Sequence, residues 1–508
     1  MLNATIGSRL YTGRSFCHDK NDFDFTPYKE RIVGHRHEFT SPYGKQRLLY
    51  ADWAASGRLY APIENKLIHD FGPYAANTHS ESNITGGTMT LAYEEAKRII
   101  KHHVHAGEHD ILLFAGTGMT GAINKLQRLL GLKLPTRLKS EVPVWMRPVI
   151  FITHMEHHSN QISWSETIGD VVCLPPDEEG GVDPACLEAL VRRYYGRPLI
   201  GTFTACSNVT GFETPYTELA EILHRYGGLC FVDFSANAPY TSIDMHPADR
   251  PLGWLDGIVF SPHKFLGGPG TSGVLVMNAR LLHQNGIPDH PGGGTVLWTD
   301  PWGGYIFSGH AESREDGGTP GVMQAIRTAL CIRLKEEMGQ SRIHKREQKL
   351  TSLLLQRLNA IPGVTILGGC DRPRLGIVSF TVDSVPYSLM VKLLNDRFGI
   401  QVRGGCSCAG TYGHYLLGID REPSQQMAQA ILNGDLSGKP GWTRVSLHPT
   451  MTLDEVVCIA DAIREIVMNG ASWRKDYVLD SASGEWHHRE GSSSIAQLEL
   501  AAWFEMSS

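Results

Sequence analysis

The 508-residue chain has no uninterrupted apolar stretch of the roughly 18 residues that a membrane-crossing helix needs, which argues against a membrane partner. Its first residues, MLNATIGSRLYTGRSFCHDKND, lack the apolar core of a secretory leader. The ten cysteines, at 17, 173, 186, 206, 230, 331, 370, 406, 408 and 458, form no C-x-x-C pair and no disulfide framework of the secreted kind. A reducing cytoplasm is therefore the expected compartment. Histidines crowd at 102, 103, 105, 109, 154, 157 and 158, yet no H-E-x-x-H and no cysteine pair accompanies them, so no metal is expected. The net charge of −6 is small for this length and argues against a nucleic-acid partner. Internal repeats and low-complexity tracts are also missing. What remains is a globular chain too long for one hydrophobic core, with about two or three domains expected.

The stretch ILLFAGTGMTGAINKL, residues 111–126, is an apolar run followed by Gly116-x-Gly118-x-x-Gly121 and a helical pattern. A dinucleotide site would add an acidic residue about 20 positions on, at the far end of the next strand. Glu141 has the distance but precedes the next strand candidate, 149–153, so the nicotinamide reading fails. A more general feature survives: small residues and free N–H groups at a helix N-terminus favour a phosphate.

From about 110 to 275 short apolar runs alternate with helical periodicity, as in a parallel α/β sheet. Strands are expected at 111–114, 149–153, 199–204, 229–234, 257–261 and 273–277. Between two of them, PYTELAEILHRYGG places Leu219, Ile222, Leu223 and Tyr226 on one face of a helix that begins near Pro215 and stops at Gly227. Glycine-rich loops follow at 289–296 and 314–321, and a long helix is expected from about Val322. A second α/β unit spans about 335–470, with strands near 377–382, 400–403 and 443–447 and a helix from Leu453. Near the end, GEWHHREG reads as a solvated segment and SSSIAQLELAAWF as one short amphipathic helix.

In open α/β sheets ligands gather at the carboxyl ends of strands. There the sequence places Gly118-Met119-Thr120, then HMEHHSN (154–160), ACSNVTG (205–211), Asp233, and SPHK ending in Lys264. A lysine amine, a carboxylate, a flat histidine and a phosphate-type turn on one edge are what pyridoxal 5′-phosphate requires. The amine forms a Schiff base, the carboxylate keeps the pyridine nitrogen protonated, and the flat ring stacks on the cofactor.

SPHK resembles the S-x-H-K lysine motif of the class V aminotransferase fold. MEHHSN, SNVTG and RVSL are similar to the matching stretches of group II cysteine desulfurases and selenocysteine lyases, over roughly residues 48–465. The resemblance implies fold type I of the pyridoxal phosphate enzymes: a large domain with a mainly parallel, seven-stranded sheet and a smaller C-terminal α/β domain. Carried over by residue, it implies Lys264 as the Schiff-base lysine, Asp233 as the pyridine partner and His157 as the stacking, catalytic histidine. Asn208 would lie near the cofactor's phenolic oxygen or the substrate carboxylate. Gly118, Met119, Thr120, Ser261 and His263 would take the phosphate. Thr319 in GGTPG would reach the phosphate of the neighbouring subunit, which implies a homodimer.

VRGGCSCAG (402–410) fits the family's R-x-G-x-x-C-A pattern, which puts Arg403 and Cys408 on the motif of the sulfur-accepting cysteine. WTRVSL puts Arg444 where the family keeps the arginine for the substrate α-carboxylate, and a guanidinium fork suits a carboxylate. Cys406, two positions before Cys408, competes with it for any thiol chemistry. The implied reaction is removal of sulfur or selenium from cysteine or selenocysteine to give alanine, with a sulfur-acceptor protein as a possible partner. Epimerisation, transamination or another C–S lyase reaction is the alternative.

Two departures stand out. The family's D-x-A-Q glutamine is replaced by Ala236, leaving Ser235 or Asn237 to bond the phenolic oxygen, and residues 411–441 form an added segment before Arg444. The expected organisation is an N-terminal segment 1–45 packing on the small domain, a large domain 46–330, a small domain 331–470 and an extension 471–508.

Overall fold

The computed structural model describes residues 23–78, 82–282, 286–491 and 497–506. Its centre is a seven-stranded sheet of β1 (Asp110–Ala115), β2 (Val149–Thr153), β3 (Asp170–Leu174), β4 (Leu199–Thr204), β5 (Leu229–Asp233), β6 (Gly257–Phe260) and β7 (Gly273–Asn278), in the spatial order β1-β7-β6-β5-β4-β2-β3. β7 runs antiparallel to both of its neighbours, and the pairs among β2 to β6 are parallel. All six strands expected over this region fall within one residue of their observed ends. β3 was not expected: it is a short edge strand whose first four residues are only partly buried, so it shows no clear apolar pattern.

The period-two alternation of strands explains how one sheet feeds two cores. Val149 and Phe151 of β2 join one apolar cluster with Phe203, Val232 and Ile258. Ile150 and Ile152 join the other, on the opposite face, with Phe231, Val259 and Leu275. Helices cover both faces: α1 (Met119–Leu129) and α2 (His158–Ser165) start directly beyond β1 and β2, and α3 (Tyr216–Arg225) is the crossover between β4 and β5. The apolar stripe read from the sequence puts Leu219, Ile222 and Leu223 inside.

Helix α4 (Val322–Met338) begins where expected and is followed by α5 (Gln340–Asn359). The second sheet has the order β8-β9-β11-β10, comprising β8 (Val364–Ile366), β9 (Ile377–Val382), β10 (Arg403–Gly405) and β11 (Trp442–Ser446), all antiparallel. The run expected at 400–403 is divided: Ile400 and Gln401 pair in parallel with Leu49 and Tyr50, and Arg403 opens β10. Residues 411–441 hold two helices, α6 (Gly410–Leu417) and α7 (Arg421–Leu432), and the chain ends its second unit with α8 (Leu453–Trp473).

The reading of GEWHHREG as solvated is corrected. Glu485–His488 pairs with Tyr477–Asp480 in a hairpin, and Trp486 is only 5% exposed. A tryptophan between charged and polar residues gives no periodic signal, and it is the tertiary packing that buries it, in the main apolar cluster and under Arg474. The amphipathic helix expected at 492–504 is described from Gln497 to Ala502, and 492–496 lie outside the described residues. Near the start, the Tyr43 hydroxyl donates to Asp476, just beyond α8, at 2.9 Å, and Lys29 pairs with Glu455 of α8 at 2.5 Å. No described helix is long and apolar enough to cross a membrane.

Candidate active site

The carboxyl ends of β1, β2, β4, β5 and β6 converge on a pocket of about 270 Å³ whose opposite wall comes from the second unit. Gly118, Met119, Thr120, His157, Asn208, Asp233, Ser261, His263 and Lys264 line it from the first side, and Arg403, Cys408 and Arg444 from the second. Thr319 is not among the lining residues. It is exposed, and its hydroxyl donates to Asn77 Oδ1 at 3.1 Å.

The turn after β1 is built for close approach. A Cβ on Gly118 would lie 2.8 Å from the His263 ring and 3.2 Å from Ser261 Oγ, so only glycine lets the turn sit against SPHK. The Met119 N–H donates to Ser261 Oγ at 2.8 Å, Thr120 and Ser159 hydroxyls lie 2.7 Å apart, and His263 Nδ1 donates to the Thr117 carbonyl at 3.0 Å. Hydroxyls, an imidazole and the N-terminus of the 11-residue α1 thus converge, the donor set that suits a phosphate.

Asp233 ends β5 and is buried, and the Ser235 N–H caps its Oδ1 at 2.9 Å. Burial raises its pKa, while the Ser235 bonds and the Lys264 charge pull it back down. Lys264 is pushed down to about 8, first by burial and then by Arg444 and Arg403, with Asp233 opposing. His157 is pushed down to about 3 by burial and by the Lys264 charge, so its ring is neutral at physiological pH. Its Nδ1 accepts the Ser159 N–H at 3.1 Å, which leaves the proton on Nε2.

Of the two residues left open for the missing glutamine, Ser235 lines the pocket, whereas Asn237 is buried outside it. The Asn208 side chain donates to the Ser407 carbonyl at 2.7 Å, so in this structure it grips the cysteine loop. Arg444, 2% exposed, donates to the Asn208 carbonyl at 3.0 Å and to Asp52 at 2.7 Å. Arg403 donates to the other Asp52 oxygen at 3.1 Å.

Asp52 is a residue that sequence reasoning missed. It lies 392 positions from Arg444 and carries no motif beyond the small residues Ala54 and Ala55 after it. Glu156 was in plain view inside HMEHHSN but drew no role. It is buried, accepts from the Thr153 and Thr204 main chains and from Asn160, and is pushed up to about 7 by burial. It ties the end of β2 to the end of β4. Its only available signal was a carboxylate inside an otherwise neutral strand end. Among the described residues no group of histidines, cysteines and carboxylates is arranged to hold a metal.

A mainly parallel sheet that presents a lysine, a carboxylate and a phosphate-type turn at its strand ends, opposite a smaller sheet, defines an α/β enzyme with an amine in its pocket. The chain belongs to the class V aminotransferase family, whose model matches residues 49–458. A Halalkalibacterium halodurans protein named "Probable cysteine desulfurase" is 29% identical over 377 residues, covering 71% of this chain and 84% of its own. A Staphylococcus aureus protein of the same name is 28% identical over 369 residues, covering 72% and 84%. The fold is shared with the apo cysteine desulfurase of Thermococcus onnurineus, at TM-score 0.70 and 23% identity over 87% of this chain and 98% of that one. It is also shared with an Escherichia coli cysteine desulfurase in its S-sulfonic acid form, at TM-score 0.69 and 21% identity over 88% and 99%.

Proposed function

We propose that the chain is a pyridoxal 5′-phosphate-dependent cysteine desulfurase that works as a homodimer and passes sulfur through Cys408. One observation carries this reading: the pocket places a loop thiol and two arginines from the second unit opposite the lysine, carboxylate and neutral imidazole of the first. The residues present fit the cofactor. A phosphate suits the hydroxyls and helix N-terminus at Thr120, Ser261 and His263, and the tight approach of Gly118 keeps that cradle open. A pyridine nitrogen suits the buried Asp233 carboxylate. When bound, the cofactor supplies an aldehyde for the lysine amine and a ring that accepts electrons released at the substrate α-carbon.

The protein's own groups do the rest. Asp233 holds the proton on the ring nitrogen, and neutral His157 offers a flat face without adding charge. Arg444 and Arg403 recognise the substrate carboxylate, sharing Asp52 between them in its absence. The Lys264 amine takes the α-proton. The Cys408 thiolate then forms an S–S bond to the substrate sulfur as the C–S bond breaks, the C–S electron pair stays with the β-carbon and takes up a proton there, and return of a proton to the α-carbon completes alanine. The protein is left with a persulfide, balanced in atoms and electrons, for a sulfur-acceptor protein to collect.

The homodimer is supported by the segment around Thr319. Thr319 stands away from its own pocket, and the nearby hairpin of Val296–Thr299 and Tyr305–Phe307 exposes Trp298 at 61% and Trp302 at 89%. Apolar surface of this kind marks an interaction site. A reducing, cytoplasmic setting belongs to the same reading, which needs Cys406 and Cys408 as free thiols.

The test is incubation of the cofactor-loaded enzyme with cysteine, followed by alanine analysis and mass spectrometry. Alanine and one added sulfur on Cys408 are expected, and both disappear in Cys408→Ser. Absence of alanine in the wild type would favour an epimerase, aminotransferase or other lyase. Undiminished alanine from Cys408→Ser would indicate a selenocysteine-lyase-like site in which the thiol is dispensable.

A further inference from the structure

The loop that carries Cys408 is held in a conformation its own residues disfavour. Ser407 and Cys408 are consecutive non-glycine residues in the left-handed region, with φ of 50° and 57°. Such geometry persists only where the surroundings over-determine it. Within the loop there is one turn bond, from the Ala409 N–H to the Cys406 carbonyl at 2.9 Å. The other anchors come from the opposite wall of the pocket.

His158 supplies two of them. Its N–H donates to the Cys408 carbonyl at 2.7 Å, and its Nε2 accepts the Gly410 N–H at 2.8 Å. It thereby brackets the cysteine, taking the carbonyl of that residue and the amide two positions on. A Cβ on Gly410 would lie 3.1 Å from the same Nε2, so the glycine makes room for the ring. One turn further along α2, Gln161 exchanges hydrogen bonds with Thr411 at 2.7 and 2.9 Å. Accepting at Nε2 requires a neutral ring protonated at Nδ1, and burial favours that state by lowering the His158 pKa.

The geometry points to His158 as a positioning residue that latches the Cys408 loop over the pocket, fixing the thiol relative to the adjacent His157 imidazole. This inference rests on the desulfurase reading for its purpose but not for its contacts. His158 does not line the pocket. Its effect on sulfur transfer passes through the loop it holds, and releasing the latch frees the strained loop to carry the thiol away.

Hydrogen exchange read by mass spectrometry on the full chain, over residues 403–417, tests the latch. His158→Ala is expected to speed exchange at Ala409 and Gly410 by about tenfold or more, because the loop then opens locally. His158→Gln, whose Oε1 can accept the Gly410 N–H, should stay within about threefold of wild type. Gln161→Ala should give a smaller acceleration in the same peptide. In turnover with cysteine, His158→Ala should lower kcat with KM unchanged, and His158→Gln should restore it. Unchanged exchange in His158→Ala would overturn the latch. Faster exchange with unaltered kcat would overturn the positioning role. Exchange is read without substrate, so failure of the desulfurase reading would show separately, as absence of alanine from the wild type.

Discussion

Lys264 and Asp233 stand at the ends of strands whose side chains are buried on both faces of a seven-stranded sheet. Cys408, across the same pocket, stands on a loop of two left-handed residues held by hydrogen bonds to Asn208 and His158. The first wall cannot shift without disturbing two apolar cores. The second can leave by breaking a few polar contacts, and elements that move in function are drawn from such low-stability regions. The difference matches the proposed chemistry, in which the cofactor's partners stay fixed and a sulfur carrier approaches and then departs.

The comparison can be broken first at its fixed side. Lys264→Ala should cost about a thousandfold or more in turnover and should remove both the visible cofactor absorbance and any borohydride-reducible link to the protein. A reducible link that survived would place the anchor elsewhere.

Asp233→Asn should reduce turnover by about a hundredfold and also shift a titration. The Lys264 amine, held down to about 8, gains its neutral, reactive form as pH rises through that value. Capture of pyridoxal phosphate by the cofactor-free protein should therefore accelerate with pH and level off above about 8. Asp233 opposes the depression, so its neutralisation should move the midpoint to lower pH. A midpoint that stays put would show that the two groups are not coupled.

A smaller effect sharpens the role of the segment that carries Thr319. Trp302→Glu puts a charge on the most exposed tryptophan of the hairpin and should weaken dimerisation by about tenfold or more, read by sedimentation together with loss of cofactor affinity. Unaltered assembly would remove the hairpin from the interface. Smallest of all, Thr452→Ala removes a complete capping box at the start of α8, far from the pocket. It should lower stability by about 1 kcal/mol in thermal unfolding while leaving the cofactor spectrum and the exchange of residues 403–417 as they are.

The sequence by itself determined the parts governed by short-range periodicity. The apolar runs at 149–153 and 199–204 fixed the strands, and Leu219, Ile222 and Leu223 marked the core side of α3. The strand-end residues Asp233 and Lys264 were legible because a strand's carboxyl end follows from where its apolar run stops. Tertiary structure alone decided the rest. Asp52 meets Arg444 across 392 positions, Asn208 meets Ser407 across 199, and the His158 ring meets Gly410 across 252, and none of these meetings has a local signal. The choice of Ser235 over Asn237 as a pocket wall was equally hidden, since the direction of a side chain beyond a strand end is set by how the following turn packs. The helices of 410–432 were missed because α7 buries none of its residues, which leaves no apolar stripe to read. Trp486 was missed because its burial depends on residues far along the chain that join the same apolar cluster. Periodicity reports what a segment does to its own faces; which segments meet depends on chain closure over hundreds of residues.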